Sequence, residues 1–216
     1  MRPDFAVLYE RDSLLAIDKP PGYEATGRTV DDPEGMQAHV GAALRRRVWL
    51  VHQLDRDTSG VLLFVTKRSL VAVMQEKLRH ATKRYLAIVH GEVREGVRVD
   101  RPMAYDDRTR RWAVSPGGKP ALTEVVPRAA NDGFSIVEVR LHTGRTHQAR
   151  VHLASIGHPL VGERRYRDPP CERAVRQALH AWRITLGELS IEAPVPEDLR
   201  ALATELGLGG WPSPDG

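Results

Sequence analysis

Residues 51–65 read Val-His-Gln-Leu-Asp-Arg-Asp-Thr-Ser-Gly-Val-Leu-Leu-Phe-Val. A polar knot ends in Thr58-Ser59-Gly60, and five apolar residues follow at once. The knot is loop chemistry and the apolar run is a buried strand. Asp55 and Asp57 are therefore expected on a loop held by a core strand, a place where catalytic groups tend to sit. Such a pair can equally do nothing more than cap its own turn, each carboxylate accepting from nearby backbone N–H groups. The loop alone leaves both readings open.

The rest of the chain reads as mixed strands and helices. Residues 6–18 form two short strands joined by a polar turn, and Lys19-Pro20-Pro21-Gly22 stops them. A loop over 23–34 leads to a short helix over 35–44. Ser69–His80 carries apolar residues at 70, 71, 73, 74 and 78, the pattern of an amphipathic helix packed on a sheet. Tyr85–Val89 is β-prone. Residues 92–120 are charged and rich in Arg, Gly and Pro, with strand-like pieces around Arg111–Val114. Leu122–Val126 and Phe134–Leu141 pair across an Asn131-Asp132-Gly133 turn. Thr146–Ile156 is helical in pattern. Gln177–Leu186 and Leu189–Ile191 are the last strands, and Pro196–Leu206 is a closing helix stopped by Gly207. Without βαβ regularity, α+β is the expected class. One domain is expected over 1–208, with a frayed tail over 209–216.

The chain has 216 residues, a net charge of +4 and a sequence pI near 9.4. Five of its 32 basic residues are lysine and the rest are arginine. A GC-rich genome produces that ratio for no functional reason. The positive balance points to a polyanionic partner, and arginine's planar fork suits phosphates and bases. Clusters at 45–47, around Trp112 (Arg108, Arg110, Arg111) and around Tyr166 (Arg164, Arg165, Arg167) interleave cations with aromatics, as nucleotide-binding surfaces do. No apolar run approaches the ~20 residues of a membrane span. The N-terminus lacks a signal-peptide core. The single cysteine, Cys171, fits a reducing compartment. The expectation is a cytoplasmic monomer.

Two further blocks carry chemistry. Lys83-Arg84-Tyr85-Leu86-Ala87-Ile88-Val89-His90-Gly91 alternates so that Lys83, Tyr85, Ala87 and Val89 share one strand face. Tyr85 is either a base-stacking group or a core residue. The third block runs from Leu141 to Gly162, where a strand ends at Thr143-Gly144 and a helix begins. Arg145 and Arg150 lie where a phosphate or a carboxylate can be reached. His142, His147, His152 and His158 invite a metal reading, but a spacing of five does not keep side chains on one helix face. No metal and no nucleotide cofactor are expected: neither phosphate-binding glycine loop occurs in the sequence.

Together the blocks resemble those of the RluA-type pseudouridine synthases. The first, His-Arg-Leu-Asp-x-x-Thr-Ser-Gly in that family, is matched by residues 52–60 except that Gln53 replaces Arg. The second, Lys-x-Tyr-x-Ala-x-Val-x-Gly, is matched by 83–91. The third, Thr-Gly-Arg-x-His-Gln-x-Arg-Val-His, is matched by 143–152. Asp18-Lys19-Pro20-Pro21-Gly22 and Leu179-His180-Ala181 extend the likeness over nearly the whole chain. The resemblance implies a mixed, mostly antiparallel sheet in two halves flanked by helices and loops, with an active-site cleft across the sheet and no S4 domain. It implies that Asp55 is the catalytic aspartate, Tyr85 the tyrosine that stacks on uracil, and Arg150 the basic partner of the aspartate. It implies an RNA partner, a stem-loop of rRNA or tRNA, contacted by His52, Gln53, Arg56, Thr58, Lys83, Arg111, Arg145, His147 and Arg165. The implied reaction needs no cofactor. Asp57 receives no catalytic task, and Glu163, where the family has Asp, receives none either.

Two other readings compete. A non-catalytic RNA-binding protein on the same scaffold draws its support from Gln53 alone. A metal-dependent nucleic-acid hydrolase would use the histidine-rich block.

Overall fold

A computed structural model describes residues 4–29, 32–209 and 211. The tail expected over 209–216 lies outside the described residues except at Gly209 and Trp211. In chain order the elements are β1 (Val7–Arg11), β2 (Leu14–Lys19), α1 (Met36–Ala43), β3 (Trp49–Leu50), β4 (Ser59–Val65), α2 (Val71–Arg79), β5 (Thr82–His90), β6 (Val97–Asp100), β7 (Met103–Asp106), β8 (Arg111–Val114), β9 (Leu122–Asn131), β10 (Phe134–Leu141), α3 (Gln148–Ser155), β11 (Leu179–Leu186), β12 (Leu189–Glu192) and α4 (Glu197–Glu205). Mixed sheets with few helices make the class α+β.

Where one domain was expected over 1–208, the residues group into two compact units. The first is Met1–Lys83 with His180–Pro194, and the second is Arg84–Leu179 with Val195–Gly216.

In the first unit the strand order is β1-β2-β4-β11, with β3 on β4 and β12 on β11. The pairings are antiparallel except that β4 and β11 run parallel. Every residue of β4 is buried, and Val61–Val65 show no exposure at all. Five fully buried apolar side chains, each contributing about 1.5–3 kcal/mol, make this strand the anchor of the unit. The core around it includes Leu14, Ala16, Val51, Leu78 and Ile184. Helix α2 follows a 3-10 turn at Arg68–Leu70 and packs less deeply than its pattern suggested. Leu78 is its one buried residue, and Val73 is 52% exposed.

In the second unit the order β5-β10-β9-β6 is accompanied by a separate hairpin of β7 and β8. Asp132 and Gly133 form the two-residue loop between β9 and β10, with φ of 43° and 78°. Two positive φ values are the signature of the type I′ turn, which Asp-Gly favours. Glu138 on β10 is fully buried and is met by Arg84, Arg128 and Arg140. Helix α4 begins after Pro196 with Glu197 and Asp198 in its first turn, where the helix dipole favours acids. The Arg176 guanidinium clamps Asp198 at 2.6 and 3.1 Å, and Asn131 Nδ2 donates to the Leu206 carbonyl near the other end. Strands β3, β6 and β7 were not foreseen. They are two to four residues long and lie in segments dense with charge or proline.

Gly60, at the start of β4, has φ of +111°, and a Cβ there would fall 2.2 Å from the Ala181 carbonyl oxygen on β11. Gly60→Ala is expected to lower the unfolding free energy by at least about 2 kcal/mol through strain and overpacking. Urea unfolding at constant m-value measures it, and an unchanged midpoint would contradict this packing.

Candidate active site

The Asp55 loop is fixed from beneath by a buried cation. Lys19, the last residue of β2, has no exposure, and its Nζ donates to the carbonyls of Pro20 (2.9 Å), Tyr23 (2.8 Å) and Arg56 (2.8 Å). An ammonium taken out of water must regain its hydrogen bonds, and three carbonyls supply them. The bond to Arg56 ties the residue after Asp55 to the Pro20–Tyr23 turn. Gly22 N–H donates to the same Arg56 carbonyl at 3.0 Å, and Arg56 Nε donates to the Gly22 carbonyl at 3.0 Å. Thr58 N–H donates to the Asp55 carbonyl at 3.0 Å, closing a four-residue turn over 55–58.

The far side of the turn is fixed by Ser59, whose hydroxyl lies 2.9 Å from His180 Nδ1. His180 Nε2 faces the Ala193 carbonyl at 3.3 Å, so that nitrogen carries the proton and Nδ1 accepts from Ser59. Asp55 and Asp57 are both half-buried. The neighbouring Asp18 is pushed up to about 6 by burial, against the opposing pull of Lys19.

His52 Nε2 accepts from Leu63 N–H at 3.2 Å. Burial drives its pKa down to about 4, a backbone hydrogen bond with Gln53 pulls it up, and the Lys83 charge lowers it further. It is thus a neutral imidazole at pH 7. Lys83 is buried, donates to the Leu78 carbonyl at 3.2 Å, and has its pKa lowered by that burial. Thr58 is buried too, whereas Gln53 and Arg56 are exposed.

In the second unit Tyr85 is 8% exposed on β5, where residues of both faces are buried. Arg150, on α3, is 9% exposed. Its Nε and Nη2 grip the two oxygens of Glu163 at 2.9 and 2.8 Å, a bidentate pair. Glu163 is fully buried and also accepts from the N–H groups of Arg165 (2.8 Å) and Tyr166 (3.2 Å). Burial raises its pKa, but the Arg150 hydrogen bonds and charge outweigh that and hold it below the usual range. The Arg150 guanidinium also lies 5.1 Å from the centroid of the Tyr166 ring. The Tyr166 hydroxyl meets His147 Nδ1 at 2.5 Å. His147 adopts φ of 58° just before α3, a conformation that histidine accepts more readily than most residues.

Gln148 ties the start of α3 to β9. Its Oε1 accepts from Arg145 N–H and the Thr143 hydroxyl, and its Nε2 donates to the Leu122 carbonyl and Thr123 Oγ1. The histidines of this block bond locally. His152 lies between Thr123 and the Arg101 carbonyl, His142 beside Glu124, and His158 against the His90 carbonyl. Among the described residues no cluster of three His, Cys, Asp or Glu side chains is placed to hold a metal ion. Arg145 Nε donates to the Pro120 carbonyl and Arg165 to the Arg110 carbonyl, so both are partly committed to the fold. Arg111 is exposed on the β7–β8 hairpin, where Tyr105 and Trp112 pack edge to face at 5.7 Å.

The sequence profile of the RNA pseudouridylate synthases matches residues 13–155, which include the Asp55 loop and Lys19 beneath it. The chain belongs to this family. YhcT of Bacillus subtilis, described as an uncharacterized RNA pseudouridine synthase, is 38% identical over 215 residues, covering 91% of this chain and 70% of its own length. Ribosomal large subunit pseudouridine synthase D of Neisseria meningitidis is 34% identical over 230 residues, covering 94% of this chain and 61% of its own. Among solved structures, human RNA Pseudouridylate Synthase Domain Containing 1 has a TM-score of 0.77 at 26% identity, covering 100% of this chain and 95% of that one. As a pseudouridine synthase the chain is an isomerase acting on RNA. Among the described residues no helix is long and apolar enough to cross a membrane.

Two residues of this synthase escaped the sequence reading. Lys19 sat in a recognised motif with no role attached, and Glu163 was passed over as a minor exchange. Glu163→Gln removes the bidentate ion pair that aligns the buried Arg150 and is expected to cost about 3–5 kcal/mol. Chemical unfolding of the purified variant measures it, and a loss under about 1 kcal/mol would contradict the assignment.

His52 predicts a pH dependence. Its folded pKa of about 4 lies below the ordinary 6.5, so its neutral form is favoured by folding. That contribution is complete above pH 6.5 and is lost as pH falls towards 4. Asp18 acts oppositely, since its raised pKa stabilises at low pH and the gain is lost as pH rises through about 6. The stability difference between wild type and His52→Asn isolates the histidine, and it is expected to narrow from pH 7 to pH 4. A constant difference would contradict a neutral imidazole.

Proposed function

We propose that the chain converts a uridine in a stem-loop of ribosomal or transfer RNA into pseudouridine, with Asp55 as the catalytic aspartate. The C1′–N1 bond breaks, the uracil turns over, C5 bonds to C1′, and the proton leaving C5 is balanced by one gained at N1. Asp55 either attacks C1′ or removes the C2′ proton, and both routes need it ionised. Tyr85 stacks on the uracil and is the candidate for handling the C5 proton. Arg150 pairs with the aspartate and orients it. A glycoside hydrolase commonly uses two carboxylates. Uracil is a tolerable leaving group that must be retained, so one carboxylate in a water-poor pocket suffices and Asp57 is left to shape the turn.

The observation that most directly supports this reading is the rigidity of the Asp55 turn. Its carbonyl and those of its neighbours are engaged by Thr58 and Lys19, so the carboxylate leaves the backbone at a fixed point. A group that only capped its turn would not require a fully buried lysine under it. Reaching a stacked uridine requires flipping it out, which costs a few kcal/mol and less in a loop. The exposed Gln53, Arg56 and Arg111, with Arg145, His147 and Arg165, are proposed to hold the RNA. His52, Thr58 and Lys83 are proposed to act on it through the shape of the surfaces they support. We further propose that both units form one catalytic domain, working as a cytoplasmic monomer without a cofactor.

Pseudouridine mapping of rRNA and tRNA from a strain lacking the gene tests this. One or more sites are expected to be lost, restored by wild type and not by Asp55→Asn. Restoration by Asp55→Asn would instead favour a scaffold that only binds RNA, the reading that Gln53 keeps alive.

A further inference from the structure

The first unit contains an open groove of about 550 Å³ beside the Asp55 turn. Trp49, His52, Gln53, Arg68, Ser69 and Gln75 line it, together with Thr26 and Gln37, which are joined by a hydrogen bond from Thr26 Oγ1 to Gln37 Oε1 at 3.2 Å. We propose that this groove takes an unpaired base of the substrate RNA next to the target uridine. The proposal rests on the reading of the chain as an RNA uridine isomerase.

Three observations carry it. The first is position. Gln53 precedes Asp55 by two residues, and an extended chain covers at most about 3.5 Å per residue, so the two backbones lie within about 7 Å. That is within reach of the adjoining nucleotide of a single strand whose uridine is held at Asp55. The second is chemistry. A phosphate site would be lined with cations, but here the one guanidinium is that of Arg68, which is exposed. His52 is neutral at pH 7. The remaining polar side chains are amides and hydroxyls, which both donate and accept and therefore match the edge of a base. Gln75 donates through Nε2 to the Val51 carbonyl at 3.2 Å, which fixes its amide and leaves Oε1 as the acceptor. The third is the indole of Trp49, half-buried and packed on the core, a rigid aromatic wall of the kind on which bases stack. Arg68 at the mouth then meets the phosphate linking that nucleotide to the next.

Gln53 and Gln75 are both exposed, so their truncation removes recognition without opening the core. The test titrates the full chain with a labelled uridine heptamer and with a second heptamer in which the two bases flanking the central uridine are absent. Wild type is expected to bind the intact strand about tenfold more tightly. Gln53→Ala/Gln75→Ala is expected to bind both strands alike, near the weaker value. Irradiating a 4-thiouridine heptamer with wild type is expected to crosslink peptides Val48–Arg56 or Ser69–Lys77. Equal binding of the two strands by wild type, full discrimination by the double variant, or crosslinks confined to other peptides would each overturn the proposal. Failure of the isomerase reading is distinguished by pseudouridine mapping: a chain that restores pseudouridine yet ignores the flanking bases has lost only the groove.

Discussion

A buried ammonium organises this molecule's chemistry. Lys19 is the end of a core strand, yet its charge lies where water does not reach, and it is accommodated because three carbonyls converge on it. Those carbonyls belong to two loops far apart in sequence, one after β2 and the other the Asp55 turn. Neither loop can move without leaving the lysine short of a partner, and a buried unpaired charge costs several kcal/mol. The turn that carries Asp55 is therefore held by an electrostatic requirement rather than by its own sequence. Ser59, His180 and Gly60 complete the constraint from β4 and β11, by a hydrogen bond and by close backbone approach.

The second unit solves a similar problem in another way. Arg150 is presented by a helix, and its guanidinium is aligned by Glu163, which in turn gathers two backbone N–H groups and lies beside Tyr166. Each buried charge is met by its opposite in good geometry, which fixes orientation more than it adds stability. In both units the residue assigned to chemistry is half or nearly wholly buried, and its position is set by a partner that performs none.

Much of this was legible in sequence wherever the signal was local. The apolar run of β4, the Asp132-Gly133 turn and the acid-first, glycine-last helix α4 are each encoded within a few neighbouring residues, and the structure has them. Strand β6 reads Val-Arg-Val-Asp, an alternation that was present but hidden among charge and glycine. Helix α2 had the right period, but periodicity tells which face is apolar and not how deeply it is covered, so Val73 remains exposed. The interior of the site was less readable. Lysine is almost never fully buried, so nothing in Lys19-Pro20-Pro21-Gly22 announced three carbonyls around Nζ. Glu163 carries one methylene more than the family's usual aspartate, and only its contacts show that it anchors Arg150. Thr58 and Lys83 are buried and His52 is half-buried, a degree of cover that spacing alone could not reveal.

The central claim is that one carboxylate on this constrained turn drives exchange of a C–N for a C–C glycosidic bond. Tritium at uracil C5 reports that step directly, because forming C5–C1′ expels the C5 hydrogen to solvent. Unmodified rRNA and tRNA transcripts carrying 5-tritiated uridine should release tritium to water with the purified chain, in step with pseudouridine formed. Folded Asp55→Asn should release it at least about a hundredfold more slowly. Release by Asp55→Asn at the wild-type rate, or pseudouridine formed without release, would contradict the account.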